Sequence, residues 1–382
     1  MFLLSHLKKK NFLEVIKVDF VRKNSEPNDC LPIIGLCGSS GAGKTTLIEA
    51  LIPKFINLGL RVAVVKHGAH RVVVDAPGKD SDRFFQAGAD VALFGEEFFI
   101  RRHDTDGFLF CLRRLSVDYD LVLVEGHAST PVNKIWLLGK GHARPPENAG
   151  TILHVIEPSQ RRVDRVFQWI SDWLAEQCLR IPLYGCLLIG GKSSRMGRPK
   201  HLIDQDGRTW LEDAVNKLEP HVDQVVLSGK GEVPFSLARL VRVPDVSGLA
   251  GPLAGLLSVL RWQSAVSWLM VACDQPAIDP RAFSWLKSRR KPGIRAILPD
   301  LRGDGRVEPL LAWYDFRCRP LVEQLATEGC LRPGGLVGRA GIITPQPPAD
   351  LHGSWRNINT PDELELLRKT KKLDRPDKGT LE

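Results

Sequence analysis

Short apolar runs alternate with segments of helical period along most of this chain, and twice such a run ends in a glycine-containing loop. In the first half, residues 31–37 form an apolar run, and Leu47, Leu51, Ile52 and Phe55 then fall at helical spacing. This predicts strand, loop and helix, with the helix over 46–58 ended by Gly59. Residues 61–66 (RVAVVK) read as the next buried parallel strand. Residues 120–126 add a strand with Glu125 just beyond a fully apolar run, and 151–156 add another. Over 161–179 the apolar Val163, Val166, Phe167, Ile170, Trp173 and Leu174 share one helical face, which predicts a closing helix.

After a break at 180–182 the alternation restarts. Residues 183–189 predict a strand, 210–218 a helix, and 224–228, 241–244 and 268–273 further strands. Asp279 followed by Pro280 predicts a helix N-cap with proline at the first helical position. Thr360-Pro361-Asp362-Glu363 predicts a capping box opening the last helix. No internal repeat links the halves. The expected fold class is α/β, with two domains, 31–179 and 183–369. Residues 1–30 read as an N-terminal extension and 370–382 as a polar tail.

The first glycine loop, Gly38-Ser39-Ser40-Gly41-Ala42-Gly43-Lys44-Thr45, matches G-x-x-x-x-G-K-[ST] between the strand and helix it requires. In such a loop backbone N–H groups surround phosphates, the lysine reaches the outer phosphates and the hydroxyl ligates magnesium. Residues 38–46, Thr46 included, are therefore the candidate phosphate cradle. Glu125 stands where a P-loop fold places its second magnesium-site acid, more usually Asp. Guanine is commonly read through N-K-x-D, but Asn133-Lys134-Ile135-Trp136 lacks the aspartate.

The second loop, Leu188-Ile189-Gly190-Gly191-Lys192-Ser193-Ser194-Arg195-Met196-Gly197-Arg198-Pro199-Lys200, is no P-loop. Its glycines at a strand end allow a nucleotide close to the backbone, and Arg195 and Lys200 offer positive charge to phosphates. Nucleotidyl transfer needs that charge, because negative charge spreads over the α-phosphate and leaving pyrophosphate in the transition state. Val243-Pro244-Asp245 and Ala272-Cys273-Asp274-Gln275-Pro276 put two carboxylates at strand ends, where an open α/β sheet binds its ligand.

Composition narrows the partners. The chain has 382 residues, 43% hydrophobic and 25% charged, enough for two cores. Its formal charge of +9 comes without a zinc-finger spacing, RNP pattern or basic recognition helix, so polyanionic small molecules are expected rather than nucleic acid. The runs Lys8-Lys9-Lys10 and Arg289-Arg290-Lys291 and the polar stretch 368–378 read as solvated surface. Eight scattered cysteines without C-x-x-C fit a reducing cytoplasm. The apolar run of residues 2–4 is too short for a signal peptide, and no membrane span is expected.

With these residues in view, the first half resembles MobB, the P-loop adaptor GTPase of molybdenum-cofactor biosynthesis. The resemblance rests on the P-loop, Val65-Lys66-His67, Asp75-Ala76-Pro77-Gly78-Lys79-Asp80-Ser81, Ala87-Gly88-Ala89 and Val124-Glu125-Gly126. It departs where Arg71-Val72-Val73-Val74 replaces the family's second histidine and the residues after it, and His67 and His70 are given no metal. It implies magnesium held by Thr45 and Glu125, weak GTP turnover, and help in delivering the cofactor to its recipients, with a molybdopterin-inserting enzyme and apo-molybdoenzymes as partners.

The second half resembles MobA, the molybdenum-cofactor guanylyltransferase, through the loop above, Gly251-Pro252-Leu253-Ala254-Gly255, Cys273-Asp274-Gln275-Pro276 and Asn357-Ile358-Asn359-Thr360-Pro361. Together the two resemblances imply an N-terminal P-loop NTPase domain followed by a C-terminal Rossmann-like nucleotidyltransferase domain, the second transferring GMP from GTP to molybdopterin. The GTP site would comprise Leu188, Ile189, Gly190, Gly191, Lys200, Asp245 and Asp274, with Asp274 on Mg²⁺. Ser228 joins that set at a strand end where the family often has asparagine. Arg195, Lys200 and Asp274 would be catalytic, and Asn357 and Asn359 would contact the pterin. Ile189 replaces the family's alanine and is expected to narrow the room beside the loop, and the span from Gly197 to Lys200 is short. Two other readings stay open: a cytidylyltransferase for the same cofactor, and a non-catalytic, nucleotide-gated cofactor carrier. Retention of Asp274, Lys200 and Arg195 argues against the carrier, and the attached MobB-like half favours guanine over cytosine.

Overall fold

The computed structural model describes residues 31–66, 77–94, 97–101, 107–139, 144–190 and 196–373. His67, His70, Gly191, Arg195, the N-terminal extension and residues 374–382 lie outside them.

The first half runs β1 (Ile33–Gly38), α1 (Lys44–Asn57), β2 (Val62–Lys66), α2 (Asp80–Gln86), β3 (Val91–Phe94), β4 (Phe98–Arg101), α3 (Phe108–Asp118), β5 (Leu121–Glu125), β6 (Lys134–Leu137), β7 (Ile152–Ile156) and α4 (Arg162–Arg180). Its sheet has the order β2-β5-β1-β6-β7, and every pairing in it is parallel. β1 and β5 are apolar without alternation because helices cover both faces of the sheet. One face packs Leu47, Leu51 and Phe55 of α1 and Val166, Ile170 and Leu174 of α4 into one cluster. The other packs Leu112 of α3 against Val122 and Val124. The antiparallel pair β3-β4 forms a sheet of its own, and no period in the sequence announced it.

The second half runs β8 (Leu183–Leu188), β9 (Asp204–Gln205), β10 (Arg208–Thr209), α5 (Trp210–Leu218), β11 (Gln224–Ser228), β12 (Val241–Val243), α6 (Pro252–Trp262), β13 (Ser267–Ala272), α7 (Pro280–Ser288), β14 (Ala296–Ile297), β15 (Ala312–Tyr314), α8 (Arg319–Thr327), β16 (Ile342–Ile343) and α9 (Pro361–Leu373). Seven strands make one mixed sheet in the order β12-β11-β8-β13-β15-β14-β16. The chain builds outward from β8 to β11 and β12, then crosses back to lay β13 on the other side of β8. That reversal opens a crevice at the carboxyl ends of β8 and β13, where Ala272 lies opposite Leu188. β15 runs antiparallel to β13, a reversal that a short apolar strand does not signal.

Local signals place several boundaries. α5 and β11 begin and end where their apolar periods do. The Asp279 carboxylate accepts the Arg281 N–H ahead of Pro280, and the Thr360 hydroxyl and Glu363 carboxylate cap each other's backbone N–H groups. α1 starts earlier than its apolar period suggests, at Lys44, because Gly43 takes a left-handed conformation at its N-cap.

Trp268 on β13 is fully buried and meets Tyr184 edge-on. Trp268→Ala is expected to destabilise the fold by about 3–5 kcal/mol, read as a lower guanidinium midpoint.

Candidate functional site

The crevice at the switch point of the second sheet opens into a cavity of about 430 Å³. Leu188, Ile189 and Gly190 line it from the end of β8, Ser228 from β11, Asp245 from beyond β12, and Ala272, Cys273 and Asp274 from β13. Lys200 and Asn359 close one side, and Gly251, Pro252 and Gly255 of the α6 start and Leu310 complete the wall.

Lys200 and Asn359 are 159 residues apart, yet the Lys200 ammonium donates to Asn359 Oδ1 at 2.7 Å and to Asp274 Oδ2 at 2.9 Å. Two features bring them together. Met196 and Ile203, on either side of Lys200, share a buried cluster with Trp210 and with Ile358, Leu364 and Leu367 of the C-terminal segment. The Ile358 N–H then donates to the Asp274 carbonyl at 2.9 Å, which sets Asn359 beside the Asp274 carboxylate. Glu363 accepts from the Asn359 and Thr360 N–H groups, and these bonds hold its carboxyl below the usual range. That hold is present at neutral pH and is lost as pH falls through the depressed pKa.

On the opposite wall, Ser228 Oγ donates to Asp245 Oδ1 at 3.2 Å. A Cβ on Gly255 would stand 2.5 Å from Leu188 Cδ2 and 3.2 Å from Ser228 Oγ, so only glycine lets α6 approach this closely. Burial and the neighbouring Asp274 push the Cys273 thiol up to about 12, so it is protonated at neutral pH and no nucleophile. Ile189 is 4% exposed and packs in the main core cluster with Leu187 and Val271, besides lining the cavity. Asn357, in contrast, is exposed and does not line the cavity.

The P-loop of the first half lies between β1 and α1. Gly41 and Gly43 have positive φ, as a loop with inward-facing N–H groups requires. The Lys44 ammonium donates to the Gly38 and Ser39 carbonyls at 3.0 and 2.8 Å, inside the loop. Thr45 Oγ1 donates to Glu125 Oε1 at 2.6 Å, which joins the start of α1 to the end of β5, and Lys66 Nζ lies 3.7 Å from the same carboxylate. Arg162, at the start of α4, braces the loop by donating to the Ala42, Leu138 and Ile156 carbonyls. Lys134 is fully buried and spends its ammonium on the Thr130 and Val132 carbonyls, so it is turned inward, away from any base-reading role. Arg162 carried no motif, and Leu310 reaches the transferase cavity only through the unforeseen turn into β15. Gly251, Pro252 and Gly255 stood in a sequence motif but were not expected as lining.

Two family models match the chain in succession: Molybdopterin guanine dinucleotide synthesis protein B over residues 33–157, and the MobA-like NTP transferase domain over 185–335. A molybdopterin-guanine dinucleotide biosynthesis adapter protein from Haemophilus influenzae is 35% identical over 169 residues, 38% of this chain and 92% of that protein. A probable molybdenum cofactor guanylyltransferase from Halalkalibacterium halodurans is 30% identical over 190 residues, 47% of this chain and 94% of that protein. The chain belongs to both families, MobB followed by MobA. Among solved structures, the molybdopterin-guanine dinucleotide biosynthesis protein A of Archaeoglobus fulgidus is 24% identical, covering 50% of this chain and 99% of its own, with a TM-score of 0.43.

In the MobA-like half, Gly229 packs so tightly on the Ile189 carbonyl that a Cβ would come within 1.8 Å of its oxygen, at a φ of +111°. Gly229→Ala is expected to push the Ile189-Gly190 wall out of place. With backbone strain of about 1–3 kcal/mol, it should weaken GTP binding to this half about tenfold or more. Calorimetric titration in a Lys44→Ala background, which leaves one intact nucleotide site, checks this.

Proposed function

We propose that the chain is a bifunctional enzyme of molybdenum-cofactor synthesis. Its second half transfers GMP from GTP to molybdopterin, forming molybdopterin guanine dinucleotide and pyrophosphate, and its first half is a GTP-binding adaptor. The domains are assigned to 31–179 and 183–369, with 1–30 as an extension and 370–382 as a tail. The observation that carries the transferase reading is the contact of Lys200 with Asp274 and Asn359 in the wall of a cavity also lined by Leu188, Ile189 and Gly190.

In this reading GTP lies along the end of β8, with its triphosphate toward Lys200. Ser228 and Asp245 hold the nucleotide on the other wall, where their mutual hydrogen bond fixes the carboxylate. A phosphate oxygen of molybdopterin attacks the α-phosphorus. The new O–P bond forms as the bond to the bridging β-oxygen breaks, and pyrophosphate leaves with that electron pair. Lys200 faces the developing charge, and Arg195 is assigned the same role from its place in the sequence motif, so the chain contributes positioning and electrostatics rather than a covalent intermediate. Asn359, held by Glu363, serves the pterin side together with Asn357.

Magnesium suits both sites. A nucleotide-bound Mg²⁺ needs one or two carboxylates besides phosphate and water. Asp274 is partly exposed beside Lys200 in the cavity, and Thr45 with Glu125 pairs a hydroxyl and a carboxylate at the P-loop. Bound there, the ion neutralises phosphate charge. Partners in this reading are GTP, molybdopterin, a molybdopterin-inserting enzyme and apo-molybdoenzymes. A cytoplasmic setting belongs to this reading, as a reducing compartment suits the seven described cysteines, all unpaired. Among the described residues no helix is long and apolar enough to cross a membrane.

Because the metal carboxylate and the phosphate-facing lysine act mainly in the transition state, Asp274→Ala and Lys200→Ala should each lower transfer by about 10²-fold or more. Near-wild-type turnover in either variant, folded by circular dichroism, would remove that residue's role.

Incubation with molybdopterin, Mg²⁺ and each of the four nucleoside triphosphates should yield the guanine dinucleotide by mass. Equal or greater product from CTP would make the second half a cytidylyltransferase.

Lys44→Ala should abolish GTP hydrolysis while leaving guanylyl transfer within about twofold, because each half has its own sheet, glycine loop and carboxylate. A parallel loss of transfer would reveal one composite site.

A further inference from the structure

Four charged side chains meet in the interior between the two halves. Asp120, at the entry to β5, is 2% exposed, and its Oδ1 lies 3.5 Å from Arg317 Nη1 and 3.8 Å from Arg295 Nη2. Its Oδ2 accepts the Arg61 N–H at 2.9 Å. Arg317 in turn grips the fully buried Asp315 through Nε at 2.6 Å and Nη2 at 3.0 Å. Arg295 also donates to the carbonyl of Asp118, the last residue of α3. Two carboxylates and two guanidiniums thus alternate at zero net charge. Burying such groups is costly unless each charge is offset; Asp120 Oδ1 accepts no hydrogen bond, and among the described side chains its charge is offset by the two arginines of the other half.

Three further contacts lie along the same seam. Arg290, expected with its neighbours as solvated surface, is instead only 8% exposed, because it donates to the Cys178 and Ile181 carbonyls and caps the end of α4, where the helix dipole is negative. Ser267 donates to the Pro182 carbonyl through both its N–H and its hydroxyl. At Gly293 a Cβ would approach Leu60 Cδ2 to 2.8 Å, so the two backbones close tightly there. Only Ile181 and Pro182 separate α4 from β8, and both of their carbonyls are taken.

We propose that this seam is an obligate internal interface, keyed by Asp120, that welds the two halves into one rigid body with their nucleotide sites at opposite poles. The pole assignment follows from strand direction. Asp120 enters β5 and Glu125 ends it, about 17 Å further on. Asp315 follows Tyr314, which pairs with Trp268, so it lies level with the start of β13, and Asp274 stands beyond the other end, about 23 Å away. The weld therefore joins the amino-terminal edges of both sheets and turns both carboxyl-terminal edges outward. No single bound molecule touches both sites.

Differential scanning calorimetry and trypsin digestion of the full chain test the weld without any nucleotide chemistry. The unaltered chain should unfold in one transition with equal calorimetric and van't Hoff enthalpies, and should resist cleavage at Arg180–Ile181. Asp120→Arg, which sets three guanidiniums against one carboxylate, should split the transition in two and speed that cleavage about tenfold or more. Arg290→Gln, which loosens only the α4 clasp, should speed the cleavage with the circular dichroism spectrum kept, and it serves should Asp120→Arg not fold. Two transitions in the unaltered chain overturn the proposal. So does one transition with unchanged cleavage in the folded variants.

Discussion

The register of β13 against β8 is the constraint on which the transferase half depends. Six consecutive residue pairs lock Ser267–Ala272 to Leu183–Leu188, so the loop at Ile189-Gly190 and the carboxylate of Asp274 leave the sheet at the same level. A slip of one residue would turn every side chain of β13 to the other face, burying Asp274's neighbours wrongly and removing the acid from the crevice. Trp268, Met270 and Leu269 are all fully buried, which makes such a slip prohibitive.

The two nucleotide sites solve the same electrostatic problem by different means. The P-loop surrounds phosphate with backbone and keeps Lys44 within the loop on its own carbonyls, so the cradle is local in sequence. The transferase cavity is assembled from segments far apart, and its central cation is held by one carboxylate and one amide from separate parts of the chain. A local cradle survives most distant changes. An assembled one depends on the packing behind it, here the cluster of Met196, Ile203, Trp210, Ile358, Leu364 and Leu367.

Buried charge recurs where the architecture needs a specific geometry rather than added stability. Lys134 ties the turn after β5 to the sheet through carbonyls, Arg162 braces the P-loop from α4, and Asp120 meets arginines of the second half. Removing one partner from any of these leaves an uncompensated polar group inside, so each contact discriminates against looser arrangements.

The chain's period, glycines and caps by themselves determined the alternation of strands and helices, the P-loop with Lys44 and Thr45, and the strand-end carboxylates Glu125, Asp245 and Asp274. These follow from local rules: apolar period, turn chemistry and the residue types that a phosphate requires. Only the tertiary structure decided that β15 runs antiparallel beside β13 and brings Leu310 to the cavity, that Asn359 rather than Asn357 reaches Lys200, and that Arg162 supports the P-loop. It also decided that Asp120 and Arg317 face each other across the seam between the halves. Each of these contacts joins residues far apart along the chain, and such partners are chosen by packing, which leaves no periodic mark in a single sequence.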